Sequence, residues 1–171
     1  IAGKDIHGFE DLRGRTIGVS SRTAGSSSLV MQLLAAHGLQ YPQDYAIEEV
    51  GPILARWEKL QSGEIDAGLQ GAPLNYIAID RGYPTLCEPR DVFPHFQFTS
   101  LHVDSRWAED NSDLMARFMR AFVRAHRRFF ADQEAMIAIA MAESGIDRKY
   151  AIAAWDEYTR DEIFPTDGDV S

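Results

Sequence analysis

Short β-branched segments alternate with segments of helical periodicity in the first half of the chain. Four strands are predicted, at 16–19, 45–50, 65–69 and 84–87. Between them, apolar residues recur at helical spacing, and Gly38, Gly63 and Gly82 stand where helices commonly end in the left-handed conformation. Strands that alternate with helices of this length predict parallel β-α-β units and an α/β sheet.

The pattern changes near residue 98. A strand is predicted at 96–103, where two alternating sets of residues suit the two faces of a sheet. Three helices follow it: a long one capped by Asn111 or Asp113, then helices at 135–143 and 149–158. An α/β front and a helical back predict two substructures, residues 1–98 and 99–171.

The charge, the cysteine content and the length of the apolar runs argue against several classes of protein. The 171 residues carry a formal net charge of −9, and an acidic balance argues against a partner made of nucleic acid. Cys87 is the single cysteine, so an internal disulfide is excluded. None of the apolar runs is long enough to span a bilayer.

The hydroxyl-rich loop at 20–28 is the most informative polar segment. It joins the first predicted strand to a helix, and its candidate ligand-binding residues are Ser21, Thr23, Gly25, Ser26 and Ser27. Backbone N–H groups at a helix start lack internal partners and bind oxyanions without a side-chain cation. The hydroxyls add donors, and Gly25 allows close approach to the backbone. Ser and Thr are also ordinary N-cap residues, so helix capping is the alternative explanation.

A second polar segment follows the third predicted strand. Ligands of open α/β sheets lie beyond the carboxyl ends of the strands, where Gln70, Gly71 and Asn75 fall. Gln70 and Asn75 suit neutral hydrogen bonds, although ordinary loop and helix-start roles also explain them. His95, beside the predicted crossover, is a further candidate for reaching a cleft.

No pattern for catalysis, metal or cofactor binding emerges. The five histidines lack metal-ligand spacing, and no nucleophile elbow, phosphate loop or dinucleotide glycine pattern is present. No base is identified for Ser26 as a nucleophile. The sequence therefore predicts no metal, no cofactor and no catalytic residue. Arg22 and Arg56 are the candidates for an arginine clamp, which leaves sulfonate, carboxylate and neutral pyrimidine ligands open.

Several phrases in order along residues 9 to 130 resemble one family. Residues 11–19, DLRGRTIGV, are similar to the DLKGKxIGV stretch of type II periplasmic binding proteins, and 63–67, GEIDA, to their GEVDA phrase. The helix end from Leu33 to Leu39 is similar to their LL…GL pattern. The group most resembled contains the nitrate, taurine and sulfonate binders together with the thiamine-pyrimidine-precursor binders.

This resemblance implies a protein of two lobes that holds its ligand in the cleft between them. Residues 1–98 would form the α/β ligand-binding lobe, and 99–171 the crossover strand and late helices of the other, incomplete lobe. The chain would then be truncated at both ends relative to the family. The loops 20–28 and 70–75 match its ligand-binding loops.

The implied function is extracytoplasmic capture of a small polar or anionic ligand, a sulfonate, carboxylate, nitrate or pyrimidine. The binding protein would close by a hinge and deliver its ligand to an ABC permease in the membrane, from the periplasm or the cell surface. Two alternatives stay open. One is an enzyme of the same fold, such as a thiamine-pyrimidine synthase, whose cysteine-rich motif Cys87 alone does not match. The other is a ligand-sensing domain of a regulator.

Overall fold

The computed structural model describes residues 1–94, 100–161, 163–164 and 166. The chain divides into two compact units, Ile1–Phe98 and Thr99–Ser171. Unit 1 contains a parallel sheet with helices, whereas the regular structure described in unit 2 is helical. Each unit has its own packing, described in turn below.

The sheet of unit 1 has three parallel strands in the order β2-β1-β3. These are β1 (Thr16–Val19), β2 (Ala46–Glu49) and β3 (Ala67–Gly68). In the central strand, Ile17 pairs with Ile47 on one side and with Ala67 on the other. The predicted α/β class with parallel β-α-β units is therefore confirmed.

Three α-helices follow the strands of unit 1: α1 (Gly25–Ala36), α2 (Ile53–Ser62) and α3 (Leu74–Asp80). Short 3-10 helices cover Phe9–Leu12 and Pro89–Asp91. The end of α2 shows why the glycines mark helix ends. Gly63 adopts φ 78°, and Gly63 and Glu64 donate their N–H groups to carbonyls of the last turn.

The two faces of β1 contact different helices. Ile17 packs with Val30 and Leu34 of α1 in one apolar cluster. Its neighbour Gly18 points the other way, because side chains alternate along a strand, and a Cβ there would meet Ile65 and Arg56. A second apolar cluster on the α2 side contains Val50, Trp57, Leu60, Ile65 and Ala78. The sheet is thus covered on both faces, as parallel sheets usually are.

Unit 2 contains α4 (Ser105–Asp110), α5 (Ser112–Ala131), α6 (Gln133–Ser144) and α7 (Arg148–Arg160). Helices α6 and α7 pack on each other, with Ile137 and Ala151 buried. The indole Nε1 of Trp155 donates to the carbonyl of Phe129 at 2.9 Å, which links α7 to α5. Among the described residues, no helix combines the length and apolar content that crossing a membrane requires.

The predicted fourth strand at 84–87 is wrong. Residues 1–3 occupy the position beside β3 that such a strand would take, since Ala2 bridges Ala67 and Gly3 donates to Asp66 at 2.7 Å. Pro84 lacks a backbone N–H and contributes one acceptor, for the N–H of Ala2. The chain there runs without regular structure.

Three other predicted features differ from the structure. Of the strand predicted at 96–103, residues 96–99 lie outside the described part, and residues 100–103 have no regular structure. Strand β3 spans two residues where five were predicted. Asn111 occupies the N-cap position of α5 as predicted, but its side chain donates to the carbonyl of Trp107 and does not cap the helix. Helix α4 has no counterpart among the predictions.

Candidate functional site

The two predicted ligand loops begin side by side at one edge of the sheet. Gly18 of β1 pairs with Gly68 of β3, and both strands run in the same direction. Their carboxyl ends therefore face the same edge, where ligands of open α/β sheets bind. Loop 20–28 leaves β1 there, and loop 69–75 leaves β3.

A hydroxyl inside the first loop holds it in shape. Ser27 is 1% exposed, and its Oγ donates to the carbonyl of Ser21 at 2.5 Å. The same carbonyl accepts the N–H of Ala24 at 3.2 Å. The carbonyl of Ala24 in turn accepts the N–H of Ser27 at 2.9 Å and of Ser28 at 3.2 Å. The hydroxyl proton of Ser27 is thus used in a hydrogen bond within the loop. This residue therefore maintains the shape of the loop and does not donate to a ligand.

The start of α1 lacks a side-chain cap. Its N-cap residue is Ala24, which has no hydroxyl, and no side chain accepts from the first turn. In the described part of the chain, no group accepts the N–H of Gly25 or Ser26. The hydroxyls of Thr23 and Ser26 likewise make no described hydrogen bond to protein atoms. Helix capping therefore does not account for the hydroxyls of this loop, and its free donors suit an oxyanion.

The second loop contributes a buried amide. Gln70 is 8% exposed, yet neither its Nε2 nor its Oε1 has a hydrogen-bond partner. Asn75 is used locally, because its Oδ1 accepts the N–H of Tyr76 at 2.9 Å and its own N–H donates to Gly71. Buried amide groups are nearly always hydrogen-bonded, so Gln70 is the residue of this loop with unmet bonding capacity.

A buried cation lies between the two loops. Arg56 of α2 is 4% exposed, and its Nη1 donates to the carbonyl of Leu69 at 2.9 Å while Nη2 donates to Ser20 Oγ at 3.0 Å. Its Nε has no partner. No ion pair among the described residues includes Arg56. Burial lowers the pKa of this guanidinium, which stays charged because an arginine is not deprotonated in proteins.

Two glycines make room for the stem of Arg56. A Cβ at Gly68 would lie 2.6 Å from Cδ of Arg56, and a Cβ at Gly18 would lie 3.3 Å from its Cγ. The two glycines are paired in the sheet, so together they leave a channel for the Arg56 stem on the face of the sheet that α2 covers. The sequence named Arg56 as a candidate for an arginine clamp but did not predict its position between the two loops. A signal was available, since Arg56 belongs to an apolar helical series with Ile53, Trp57 and Leu60.

The other candidate residues lie elsewhere or have other contacts. Arg22 is exposed, with Nε 3.2 Å from Glu49 Oε1 and Nη1 donating to the Tyr41 hydroxyl at 2.6 Å. Trp57 is buried against Tyr83, with ring centroids 5.1 Å apart, so it is a core residue. His95 lies outside the described residues, so its assignment stays a prediction.

Two cavities lined by described residues of unit 1 do not contain these loop donors. One, of about 70 Å³, lies on the α1 side and is lined mainly by apolar residues, with Cys87 at its wall. The other, of about 410 Å³, is an open groove beside β2 that includes Arg22 and Tyr41. In the described part of the chain, no three His, Cys, Asp or Glu side chains gather where they could hold a metal ion. The candidate site lies at the carboxyl edge of the sheet in unit 1 and is made of the two polar loops.

Comparison with known proteins identifies the family of the chain and a solved structure with a similar fold. The family model described as NMT1-like family matches residues 4–143. Among solved structures, the chain is similar to the alkanesulfonate-binding protein SsuA from Xanthomonas axonopodis pv. citri bound to MOPS, with a TM-score of 0.69 and 17% identity. The match covers 90% of this chain and 53% of that one, so the chain spans about half the length of this neighbour. No curated protein matches the sequence. The structural likeness confirms the predicted fold of periplasmic-binding-protein type.

Proposed function

We propose that this chain, which belongs to the NMT1-like family, is part of a solute-binding protein that captures a small anionic or polar ligand for uptake by an ABC transporter. The observation that carries the proposal is the uncapped start of α1, with free N–H groups at Gly25 and Ser26, together with the buried cation Arg56, which donates to Ser20 in the same loop. A sulfonate-binding protein with the same fold supports a ligand of the oxyanion class.

Each part of the site suits a different part of such a ligand. The backbone donors of Gly25 and Ser26 suit the oxygens of a sulfonate, carboxylate or nitrate, and the hydroxyls of Thr23 and Ser26 add donors beside them. Gln70 offers one donor group and one acceptor from a buried position. The net charge of −9 does not oppose this assignment, because local dipoles and single cations decide affinity at so short a range.

The proposed mechanism is capture followed by hinge closure. Residues 1–98 would act as the lobe that presents both ligand loops, and 99–171 as crossover and late helices of the other lobe. The division into the units Ile1–Phe98 and Thr99–Ser171 supports this assignment. A ligand shifts such a protein toward its closed form only by the extra contacts it gains there. The closed form would dock on a membrane permease from the periplasm or the cell surface.

The proposal favours binding over catalysis. A serine nucleophile needs a base within hydrogen-bond reach, and the described contacts of Ser26 and Thr23 include none. Cys87 is half-buried, and burial raises the pKa of its thiol, which disfavours the reactive thiolate. The residues of the site therefore support hydrogen bonding to a ligand that leaves unchanged.

Thermal unfolding against a ligand panel tests this function. The whole gene product is melted with alkanesulfonates, carboxylates, nitrate and aminopyrimidines, and each compound is recovered and analysed afterwards. A compound that binds the folded state raises Tm by mass action, by an amount that grows with its concentration. A rise in Tm with unchanged compound supports the binding protein. Turnover of the compound would show an enzyme, and no shift across the panel would contradict the proposed function.

A further inference from the structure

Resting on the proposed function, the further inference concerns the charge class of the ligand. We propose that Arg56 selects anionic over neutral ligands by holding an uncompensated positive charge beneath the two ligand loops. The evidence is its burial, its hydrogen bonds to neutral groups only, and the unmet capacity of its neighbours.

The surroundings of Arg56 leave its charge unbalanced. Its two described hydrogen bonds go to a backbone carbonyl at Leu69 and to the hydroxyl of Ser20, and neither carries a charge. Taking a cation out of water is unfavourable unless an anion or a full set of hydrogen bonds offsets the lost hydration. Here one N–H, at Nε, has no acceptor, and the ion pairs of the described residues do not include this side chain. An anionic ligand would supply the missing negative charge.

The fold is arranged to keep this cation in place. Gly18 and Gly68 both lie against the Arg56 stem, where a Cβ would come within 3.3 Å and 2.6 Å of it. An apolar residue at position 56 would fill the same channel without burying a charge. Two other residues of this helix, Trp57 and Leu60, are buried and apolar. The guanidinium ends against Ser20 and Leu69, the first residues after β1 and β3. The charge therefore lies where both ligand loops begin.

Gln70 is an independent sign that something polar is bound here. It adjoins Leu69, is more than nine-tenths buried, and both ends of its side-chain amide lack partners. An amide that is buried without hydrogen-bond partners destabilises the fold, and a ligand that offers both a donor and an acceptor would remove this cost. Two unsatisfied buried polar groups at the same strand end are explained together by one polar, anionic ligand.

The test compares an anion with a neutral molecule of the same shape. Titration calorimetry measures binding of ethanesulfonate and of ethyl methyl sulfone to the whole gene product. The wild type should bind the sulfonate at least about tenfold more tightly, which is about 1.4 kcal/mol. Arg56→Met, which keeps the apolar stem, should lose that preference, whereas Arg56→Lys, which keeps the charge, should retain most of it. Arg81→Met, an exposed arginine at the end of α3, matches the change in net charge and should retain it fully.

Several results would overturn the proposed role of Arg56 in selecting anions. A purely structural role for Arg56, joining the two strand ends, would lower the affinities of both probes by the same factor and would overturn the proposal. Equal affinity of the wild type for the two probes, or no binding of the sulfonate, would also overturn it. Should Arg56→Met fail to fold, Arg56→Gln, which removes the charge but keeps hydrogen-bond donors near Ser20 and Leu69, should lose the same preference. Binding of an aminopyrimidine without the sulfonate would leave the proposed function standing and remove this inference alone.

Discussion

The hydroxyl of Ser27 donates to the carbonyl oxygen of Ser21 at 2.5 Å and closes the loop that precedes α1. This bond brings the end of β1 and the first turn of α1 together while Ala24, which has no hydroxyl, takes the N-cap position. The consequence is a helix start whose first N–H groups stay available. The loop therefore separates two tasks: Ser27 maintains shape, and its neighbours Thr23 and Ser26 offer donors.

Replacing the two neighbouring serines should separate stability from binding. Ser27→Ala removes a buried hydrogen bond and should lower the free energy of unfolding by about 1 kcal/mol. Ser26→Ala removes a hydroxyl without a described protein partner, so it should leave stability within about 0.5 kcal/mol and weaken ligand binding. Urea unfolding measures the first quantity, and calorimetry with the panel ligand measures the second. Equal loss of stability in both variants would contradict this division of tasks.

A large residue at the helix start should block the site without unfolding the protein. Ser26→Leu places a bulky side chain where the ligand oxygens are expected, so affinity should fall below detection. The matched control is Ser28→Leu, two positions on in the same helix, where the native hydroxyl accepts from Gln32 at 3.0 Å. Circular dichroism checks the fold of both variants. Unchanged affinity in Ser26→Leu would refute the assignment of the site.

The channel for Arg56 predicts a steric effect at Gly68. A Cβ there would lie 2.6 Å from Cδ of Arg56, which is too close, so Gly68→Ala should destabilise the protein by about 1–3 kcal/mol. Gly25→Ala is the control, because nothing lies within 4 Å of the Cβ position there. Chemical denaturation gives both values. Combining Gly68→Ala with Arg56→Ala, which removes Cγ and Cδ of the arginine, should recover part of the loss, since the clash needs both partners; strict additivity would argue against the channel.

Asp11 should give stability a measurable acid dependence. Backbone hydrogen bonds, first from His7 at 2.9 Å and also from Gly8 at 3.1 Å, lower the pKa of this carboxyl below its ordinary value of 3.8. A depressed folded-state pKa gives stability that is present above pH 3.8 and is lost as pH falls through the folded value. Asp11→Asn should therefore unfold at lower urea than the wild type at pH 7, and the gap should shrink toward pH 2. A gap independent of pH would contradict this cause.

The features predicted correctly from sequence are those set by nearby residues. The strand at Thr16–Val19 and the helix end at Gly63 depend on β-branching and on a left-handed glycine, both visible in a few consecutive positions. The prediction of a strand at 84–87 is wrong because residues 1–3, which are distant in the sequence, lie beside β3 at that edge of the sheet. The hydrophobic pattern of a segment does not show which of two segments pairs with that edge.

The candidate site shows the same difference between local and distant information. Loop 20–28 was identified because its hydroxyls and glycine are consecutive in the sequence. Whether those hydroxyls cap α1 depended on one position, since Ala24 and not Ser or Thr stands at the N-cap. The role of Arg56 depended on glycines in two different strands, Gly18 and Gly68, and only the folded sheet brings them together.

The most direct test of the proposed binding site observes the backbone donors themselves. The whole gene product, labelled with ¹⁵N, is titrated with the panel compound that raises Tm most, and its amide spectra are recorded. We expect the N–H signals of Gly25 and Ser26 to shift most in unit 1, together with the side-chain amide of Gln70. Saturating ligand that leaves these three signals unmoved while others shift would contradict the proposed binding site.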